Sequence, residues 1–259
     1  MSTIRVARVL ACSTAVVLGA LAVQVVPASA ASLDPGSPPG SNFDLSLWEL
    51  QEPTGSPGSP DTISPSKLKG GFQDKYFYTD SGDGSMTFWD PENGVTTPNS
   101  NYSRSELREM TSSGKAASWS VPGTHKLNAT VKVSEVPDHV CVGQIHLAEG
   151  SGSTKPVVEL YYYQNGDIKM GVERGPDGGQ DQHKVGNVPL GTQWSYTISL
   201  TGGDTLGLTV NGKNTTWPLP SSFKSYPMYF KAGDYDQTSG SSSSVGARVH
   251  FYSLSLSHS

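Results

Sequence analysis

In Lys126-Leu127-Asn128-Ala129-Thr130-Val131-Lys132-Val133, polar and apolar side chains alternate without a break. Leu127, Ala129, Val131 and Val133 fall on one side, and Lys126, Asn128, Thr130 and Lys132 on the other. A period of two is that of a strand buried on one face. Further along, Val157–Tyr163 is β-branched and aromatic, and Asn165-Gly166 turns it into Ile168–Val172, a hairpin pattern. Trp194–Leu200, Thr205–Val210 and Thr215–Leu219 are separated by Gly202-Gly203 and Asn211-Gly212, which reads as a meander. Val249–Leu256 alternates again, and no segment carries a sustained helical stripe. Many short strands with Gly/Pro-rich turns predict an all-β fold, a two-sheet antiparallel sandwich or jelly roll. The stretches 149–156, 175–187 and 236–245 read as long loops, of the kind that cover a binding face.

Composition narrows the class. The chain has 259 residues, 29 glycines, 18 prolines and a formal net charge of −5. Only 16% of residues are charged, too few for a coiled coil or a charge-driven disordered chain, and the glycines lack a three-residue period. An acidic balance makes nucleic acid a poor partner. The length suits one large domain, and no internal repeat divides it.

The N-terminus carries a targeting pattern. Arg5 and Arg8 precede an apolar run from about Val9 to Val26, followed by Pro27-Ala28-Ser29-Ala30. Small residues at Ala28 and Ala30 suit signal-peptidase cleavage, so residues 1–30 read as a secretory signal. The alternative is an uncleaved anchor, although no basic stop-transfer cluster follows the run. The expected product is a secreted, extracellular monomer without a membrane segment. Cleavage removes two arginines and no acid, so the mature chain is more acidic still. It also removes Cys12, leaving Cys141 alone and no intramolecular disulfide to form. Residues 31–41 are rich in Pro, Gly and Ser and read as a linker, with the domain at 42–259.

Three segments put charged and hydrogen-bonding side chains on one face of an extended strand. In Tyr102–Arg108, the residues sharing a face are Tyr102, Arg104, Glu106 and Arg108. In Cys141–Leu147, Gln144 and His146 share a face while Cys141, Ile145 and Leu147 point to the core. In Tyr229–Gln237, Tyr229, Lys231, Tyr235 and Gln237 share a face if the strand stays regular. A charged alternating strand is ordinarily a solvated face. Two arginines, a lysine, a glutamate, two glutamines, a histidine and three tyrosines together form another kind of inventory. Guanidinium forks hold carboxylates, and tyrosines pack against sugar rings.

These segments resemble the motifs of the alginate lyases of polysaccharide lyase family 7. Arg104-Ser105-Glu106-Leu107-Arg108 matches the first, Gln144-Ile145-His146 the second, and Tyr229-Phe230-Lys231-Ala232-Gly233-Asp234-Tyr235-Asp236-Gln237 the third. Asn42–Leu50 looks like the start of the family's domain. The resemblance implies a β-jelly roll with a concave sheet carrying the site, and alginate as the partner. It implies endolytic β-elimination without a metal or other cofactor: a base takes the C5 proton, an acid protonates the departing O4, and a C4–C5 double bond forms. Arg104 and Gln144 would neutralise the substrate carboxylate, where charge develops. Tyr235 would be the acid and His146 the base toward guluronate; toward mannuronate Tyr235 alone could serve as both. His146 must be neutral, which its ordinary pKa of about 6.5 allows, whereas Tyr235 as a base needs its ordinary pKa of about 10 lowered by Arg104 or Lys231. Tyr229, Glu106, Arg108, Lys231 and Gln237 would bind substrate or support the site, with Glu106 orienting the arginines on either side of it. Ile145, in place of Val, points to guluronate-containing blocks. The competing readings are a non-catalytic carbohydrate-binding jelly roll and a lyase of another polyuronate. Histidines 125, 139, 183, 250 and 258 show no metal-ligand spacing.

Overall fold

Strands supply nearly all of the regular structure in the computed structural model, which describes Met1 and residues 32–259. In chain order they are β1 (Trp48–Ser56), β2 (Ser59–Ile63), β3 (Phe77–Thr79), β4 (Met86–Pro91) and β5 (Ser105–Glu109). Next come β6 (Thr124–Glu135), β7 (His139–Leu147), β8 (Pro156–Tyr163), β9 (Asp167–Glu173) and β10 (Gln180–Asn187). The last are β11 (Trp194–Thr201), β12 (Thr205–Val210), β13 (Lys213–Pro218), β14 (Met228–Asp236) and β15 (Gly246–His258). Two single-turn α-helices, α1 (Pro39–Asn42) and α2 (Pro65–Lys69), and a 3-10 turn at Ser221–Phe223 complete the frame among the described residues.

The strands form an eight-stranded sheet, β10-β9-β8-β7-β14-β5-β1-β2, and a seven-stranded sheet, β13-β12-β11-β6-β15-β4-β3. Every pairing is antiparallel. The architecture is the expected jelly-roll sandwich. The alternation at Lys126–Val133 falls within β6, and Leu127, Ala129, Val131 and Val133 are all buried. They join Val140, Val142, Ile145 and Leu147 of β7 in one core cluster. Each large aliphatic side chain so buried contributes about 1.5–3 kcal/mol over an exposed one. A polar contact also ties the sheets: Tyr196 of β11 donates its hydroxyl to the Val142 carbonyl at 2.8 Å. Gly143 makes room for it, since a Cβ there would sit 2.8 Å from the Tyr196 oxygen.

The topology is what assembles the site. Segments far apart in the chain, β5, β14 and β7, are neighbours in the middle of the eight-stranded sheet. All three resemblance motifs therefore lie side by side.

Three expectations change. The stretch 175–187, read as a loop, contains β10 along one edge of the sheet. Val185 is its one apolar side chain, so no alternation marks it. Residues 31–41, read as a linker, are tied down from Leu33 onward. Leu33 packs against the core, Asp34 N donates to Asn42 Oδ1 at 2.9 Å, and Asn42 Nδ2 returns to the Asp34 carbonyl at 2.9 Å. Cys141 is buried but stands outside the core cluster, whereas its neighbours Val140 and Val142 belong to it. The β7–β8 register slips between Cys141 and Gly143, which breaks the alternation there. The expected signal segment 1–30 lies, apart from Met1, outside the described residues.

Candidate active site

Across the motif strands runs a cleft of about 810 Å3. Register explains its floor. Lys231 of β14 is directly opposite Gln144 of β7 on one side and Arg108 of β5 on the other. The row continues to Glu49 of β1 and Glu159 of β8, and Tyr229 is paired with His146 one step along. Arg104, Arg108, Gln144, His146, Tyr229, Lys231, Tyr235 and Gln237 all line the cleft. The face-sharing expected of Tyr229, Lys231, Tyr235 and Gln237 is thus present, although β14 carries one extra residue against β7 between Ala232 and Tyr235.

Gly233 is what allows β14 to pass so close to β5. Its φ is +151°, and a Cβ would fall 2.8 Å from the Glu106 Cα and 2.8 Å from the Ser105 carbonyl oxygen. A side chain would force the two strands apart.

Glu106 is the hub beneath the floor. Its side chain is 0% exposed and does not reach the cleft. One oxygen accepts Gln144 Nε2 at 2.6 Å; the other faces Arg104 Nη1 at 3.3 Å and the Lys231 ammonium. This corrects two expectations. Glu106 holds the residues that line the cleft rather than meeting a ligand itself. It also orients only one of its neighbouring arginines, because Arg108 pairs instead with Glu149. Buried charge is tolerated only with partners and hydrogen bonds, and this carboxylate has three. Burial raises the Glu106 carboxyl, but Lys231 and Arg104 together pull it below its usual range. Burial and then Arg104 push Lys231 down to about 8, against the pull of Glu106.

Two candidate proton-transfer groups stand beside this cluster. His146 Nδ1 lies 2.9 Å from the Leu147 carbonyl oxygen. A carbonyl only accepts, so Nδ1 carries the proton and Nε2 keeps its lone pair. Burial, aided by Lys231, pushes the His146 pKa down to about 3, so the ring is neutral across the physiological range. The Tyr235 ring lies under the Arg104 guanidinium, 3.9 Å from ring centroid to Cζ, and its hydroxyl is 2.8 Å from Ser100 Oγ. Burial lifts the phenol above its ordinary pKa, while Arg104 and Ser100 pull against that rise. As a base Tyr235 would need Arg104 or Lys231 to lower it; burial outweighs Arg104, and the phenol stays protonated.

The remaining site residues pack around these. Tyr229 sits with the Arg108 guanidinium 4.5 Å from its ring centroid, and burial pushes its hydroxyl up to about 12. Arg108 Nε and Nη2 are buried without a protein partner, two donors available to an anion. Gln237 Nε2 donates to the Tyr235 carbonyl at 3.0 Å. Asp90 binds both flanks of the site from β4: its carboxylate accepts Ser103 Oγ at 2.7 Å and the Asp236 amide at 3.1 Å. Ser103 and Asp236 are the chain neighbours of Arg104 and Tyr235. Burial pushes the Cys141 thiol up, with Glu159 and Glu106 adding to it, so it is no nucleophile.

Sequence reasoning missed several lining residues. Glu49 and Gln51 belong to β1, where the alternation with buried Trp48 and Leu50 was available to be read. Asn99 and Ser100 precede the first motif, where no periodicity marks them. Glu149 to Lys155 were not named singly, but they lie in the stretch 149–156, read as a loop of the kind that covers a binding face, and they line the cleft. Among the described residues, no group of three or more His, Cys, Asp or Glu side chains is placed to hold a metal ion.

A two-sheet sandwich whose cleft gathers four cationic side chains, tyrosines and a neutral imidazole belongs to the class of jelly-roll proteins that handle acidic polysaccharides. A family model described as alginate lyase matches residues 43–258, and the chain belongs to that family. It is 28% identical to the alginate lyase of Klebsiella pneumoniae, over 85% of this chain and 91% of that protein. The crystal structure of an alginate lyase from Pseudomonas aeruginosa superposes with a TM-score of 0.78 at 36% identity, covering 83% of this chain and 100% of that one. The family 7 alginate lyase A1-II′, solved as a variant with a product (GGG), gives a TM-score of 0.78 at 36% identity, covering 86% and 100%.

Proposed function

We propose that this alginate lyase is a secreted, endolytic monomer that cleaves guluronate-containing blocks by β-elimination. The observation that carries the reading is the buried Glu106 hub, which aims Arg104, Lys231 and Gln144 at one point beside His146 and Tyr235. Removing the C5 proton turns the neighbouring carboxylate into a dianion. Fixed positive charge and donors at that carboxylate stabilise it where water is excluded. Arg104 supplies the charge. Gln144 spends one amide hydrogen on Glu106 and keeps a second for the substrate.

His146, neutral with Nε2 free, takes the C5 proton, and Tyr235, protonated, gives its own to O4. In guluronate these two atoms leave from opposite ring faces, which suits two separate groups. In mannuronate they leave from the same face, which asks Tyr235 to start as a phenolate. The raised phenol opposes that demand and favours guluronate. Ile145 supports the same preference only indirectly, since it is 0% exposed and belongs to the core. The endolytic reading is supported by reach. The lining residues Glu49, Arg108, Lys231, Gln144, Glu159 and Glu173 come from six adjacent strands. At about 4.8 Å between strands the cleft spans roughly 24 Å, room for several sugar rings.

Product analysis on block-defined alginate tests the finer claims. Polyguluronate is expected to fall to short unsaturated oligosaccharides with an early loss of viscosity. Faster turnover of polymannuronate, or release of single end units, contradicts the preference or the endolytic mode. Secretion rests on the pattern of residues 1–30 and is checked by the N-terminal sequence of the exported protein, expected at Ala31.

A further inference from the structure

Ser100 precedes the first motif and lines the cleft, and its hydroxyl is saturated in a revealing way. Its Oγ lies 2.8 Å from the Tyr102 carbonyl oxygen, 3.1 Å from the Tyr102 amide nitrogen and 2.8 Å from the Tyr235 hydroxyl. A serine hydroxyl has one proton and two lone pairs. The Tyr102 carbonyl can only accept, so it takes the serine proton. The Tyr102 amide can only donate, so it takes one lone pair. The remaining lone pair meets Tyr235, which must therefore be the donor. In the resting site the phenol proton is held by Ser100 on the cleft wall, and the phenol lone pairs are left for other partners.

We infer that Ser100 is a positioning residue for the acid step: it parks the Tyr235 proton and then donates to the phenolate that forms. The inference rests on Tyr235 being the general acid. In the step, His146 Nε2 takes the C5 proton, and the C–H electron pair becomes the C4–C5 double bond as the C4–O4 bond breaks. The Tyr235 O–H turns from Ser100 to the departing O4 and gives it the proton, and the O–H electron pair stays on Tyr235. Ser100 then swings its own proton from the Tyr102 carbonyl to the phenolate oxygen, without losing it. After product leaves, His146 releases the C5 proton to solvent and solvent returns a proton to Tyr235. A charge-assisted hydrogen bond is about twice as strong as a neutral one, so Ser100 binds the phenolate more tightly than the phenol.

The test uses the full-length protein with Ser100→Ala and Ser100→Thr. The Tyr235 titration is read by rapid pH-jump absorbance, as the difference from the same background carrying Tyr235→Phe, and kcat and KM are measured on polyguluronate. In Ser100→Ala the titration midpoint is expected to rise by about one pH unit and kcat to fall about tenfold, the same factor. KM is expected to stay within about twofold, because an interaction made only in the transition state is lost. Ser100→Thr, which keeps the hydroxyl, is expected to restore both. An unmoved titration overturns the inference, as does a fall in kcat that Ser100→Thr does not rescue. A moved titration with unchanged kcat overturns it as well. If Tyr235→Phe is also active, the fault lies with Tyr235 as the acid; if Tyr235→Phe is inactive, it lies with Ser100 alone.

Discussion

Glu106→Gln should be far more damaging than its isosteric shape suggests. The substitution keeps the volume and removes the one negative charge among Arg104, Lys231 and Gln144. In the wild type, one oxygen takes Gln144 at 2.6 Å and the other takes Arg104 at 3.3 Å together with Lys231. A glutamine amide must set a donor against one of these donors. Arg104 and Lys231 have side-chain exposures of 10% and 6%, so water does not replace the lost partner. Breaking a buried ion pair from one side costs about 3–5 kcal/mol. In a chain of this size that lowers the melting midpoint by roughly 10 °C. The pH dependence has a definite sign. The Lys231 pKa of about 8 is already below its ordinary value, and losing Glu106 lowers it further. Lysine charge buried at a depressed pKa costs stability in acid, and the cost is relieved as pH rises through the folded value. The penalty of Glu106→Gln is therefore expected to be full at about pH 6 and smaller at about pH 9, where wild-type Lys231 is largely neutral. Calorimetry of both proteins at the two pH values measures it, with Glu149→Gln as a control. Glu149 pairs with Arg108 at 74% exposure, and such surface pairs contribute at most about 1 kcal/mol. A Glu106→Gln midpoint within about 2 °C of wild type at acidic pH refutes the hub.

Other expectations follow from the same geometry. Gly233→Ala drives a Cβ into the β5 backbone, and urea unfolding is expected to show a loss of more than about 2 kcal/mol. Asp90→Ala removes the acceptors of both Ser103 Oγ and the Asp236 amide; at least about 1–3 kcal/mol of stability should go, with kcat falling more than KM rises. The rate profile should lack a histidine break near pH 6.5, because His146 stays neutral down to about 3, and activity should fall above about 8 as Lys231 loses its charge. Since the folded His146 pKa lies below its unfolded value, stability should also drop as pH falls from about 6.5 toward 3. His146→Ala should cost more on guluronate blocks than on mannuronate blocks; equal losses would remove the split between the two proton-transfer groups.

Local pattern carried the sandwich, and long-range pairing carried the rest. The alternation at Leu127–Val133 and the turns at Asn165-Gly166 and Asn211-Gly212 are properties of neighbouring residues, and they lead to β6, β8–β9 and β12–β13. β10 was invisible because an edge strand with a single apolar side chain, Val185, has no period to read. Cys141 was turned to the wrong side because a register slip leaves no trace in composition. At the site, alternation grouped Arg104, Glu106 and Arg108 correctly but could not say which strands lie beside them. Glu106 binds Lys231 and Gln144 because β14 is inserted between β5 and β7, a fact of topology. The net charge of −5 belongs to the whole chain and says nothing of where Arg104, Arg108 and Lys231 gather, in a cleft that Glu49, Glu149, Glu159 and Glu173 also line.

The central claim is that this cleft eliminates rather than hydrolyses, with Tyr235 as the acid. The most direct measurement follows ultraviolet absorbance of the new conjugated double bond, alongside reducing ends, during incubation with polyguluronate and polymannuronate. Wild type is expected to raise both signals in step, faster on polyguluronate, and Tyr235→Phe to raise neither while still binding the polymer. Reducing ends without absorbance, or full activity in Tyr235→Phe, would contradict the account.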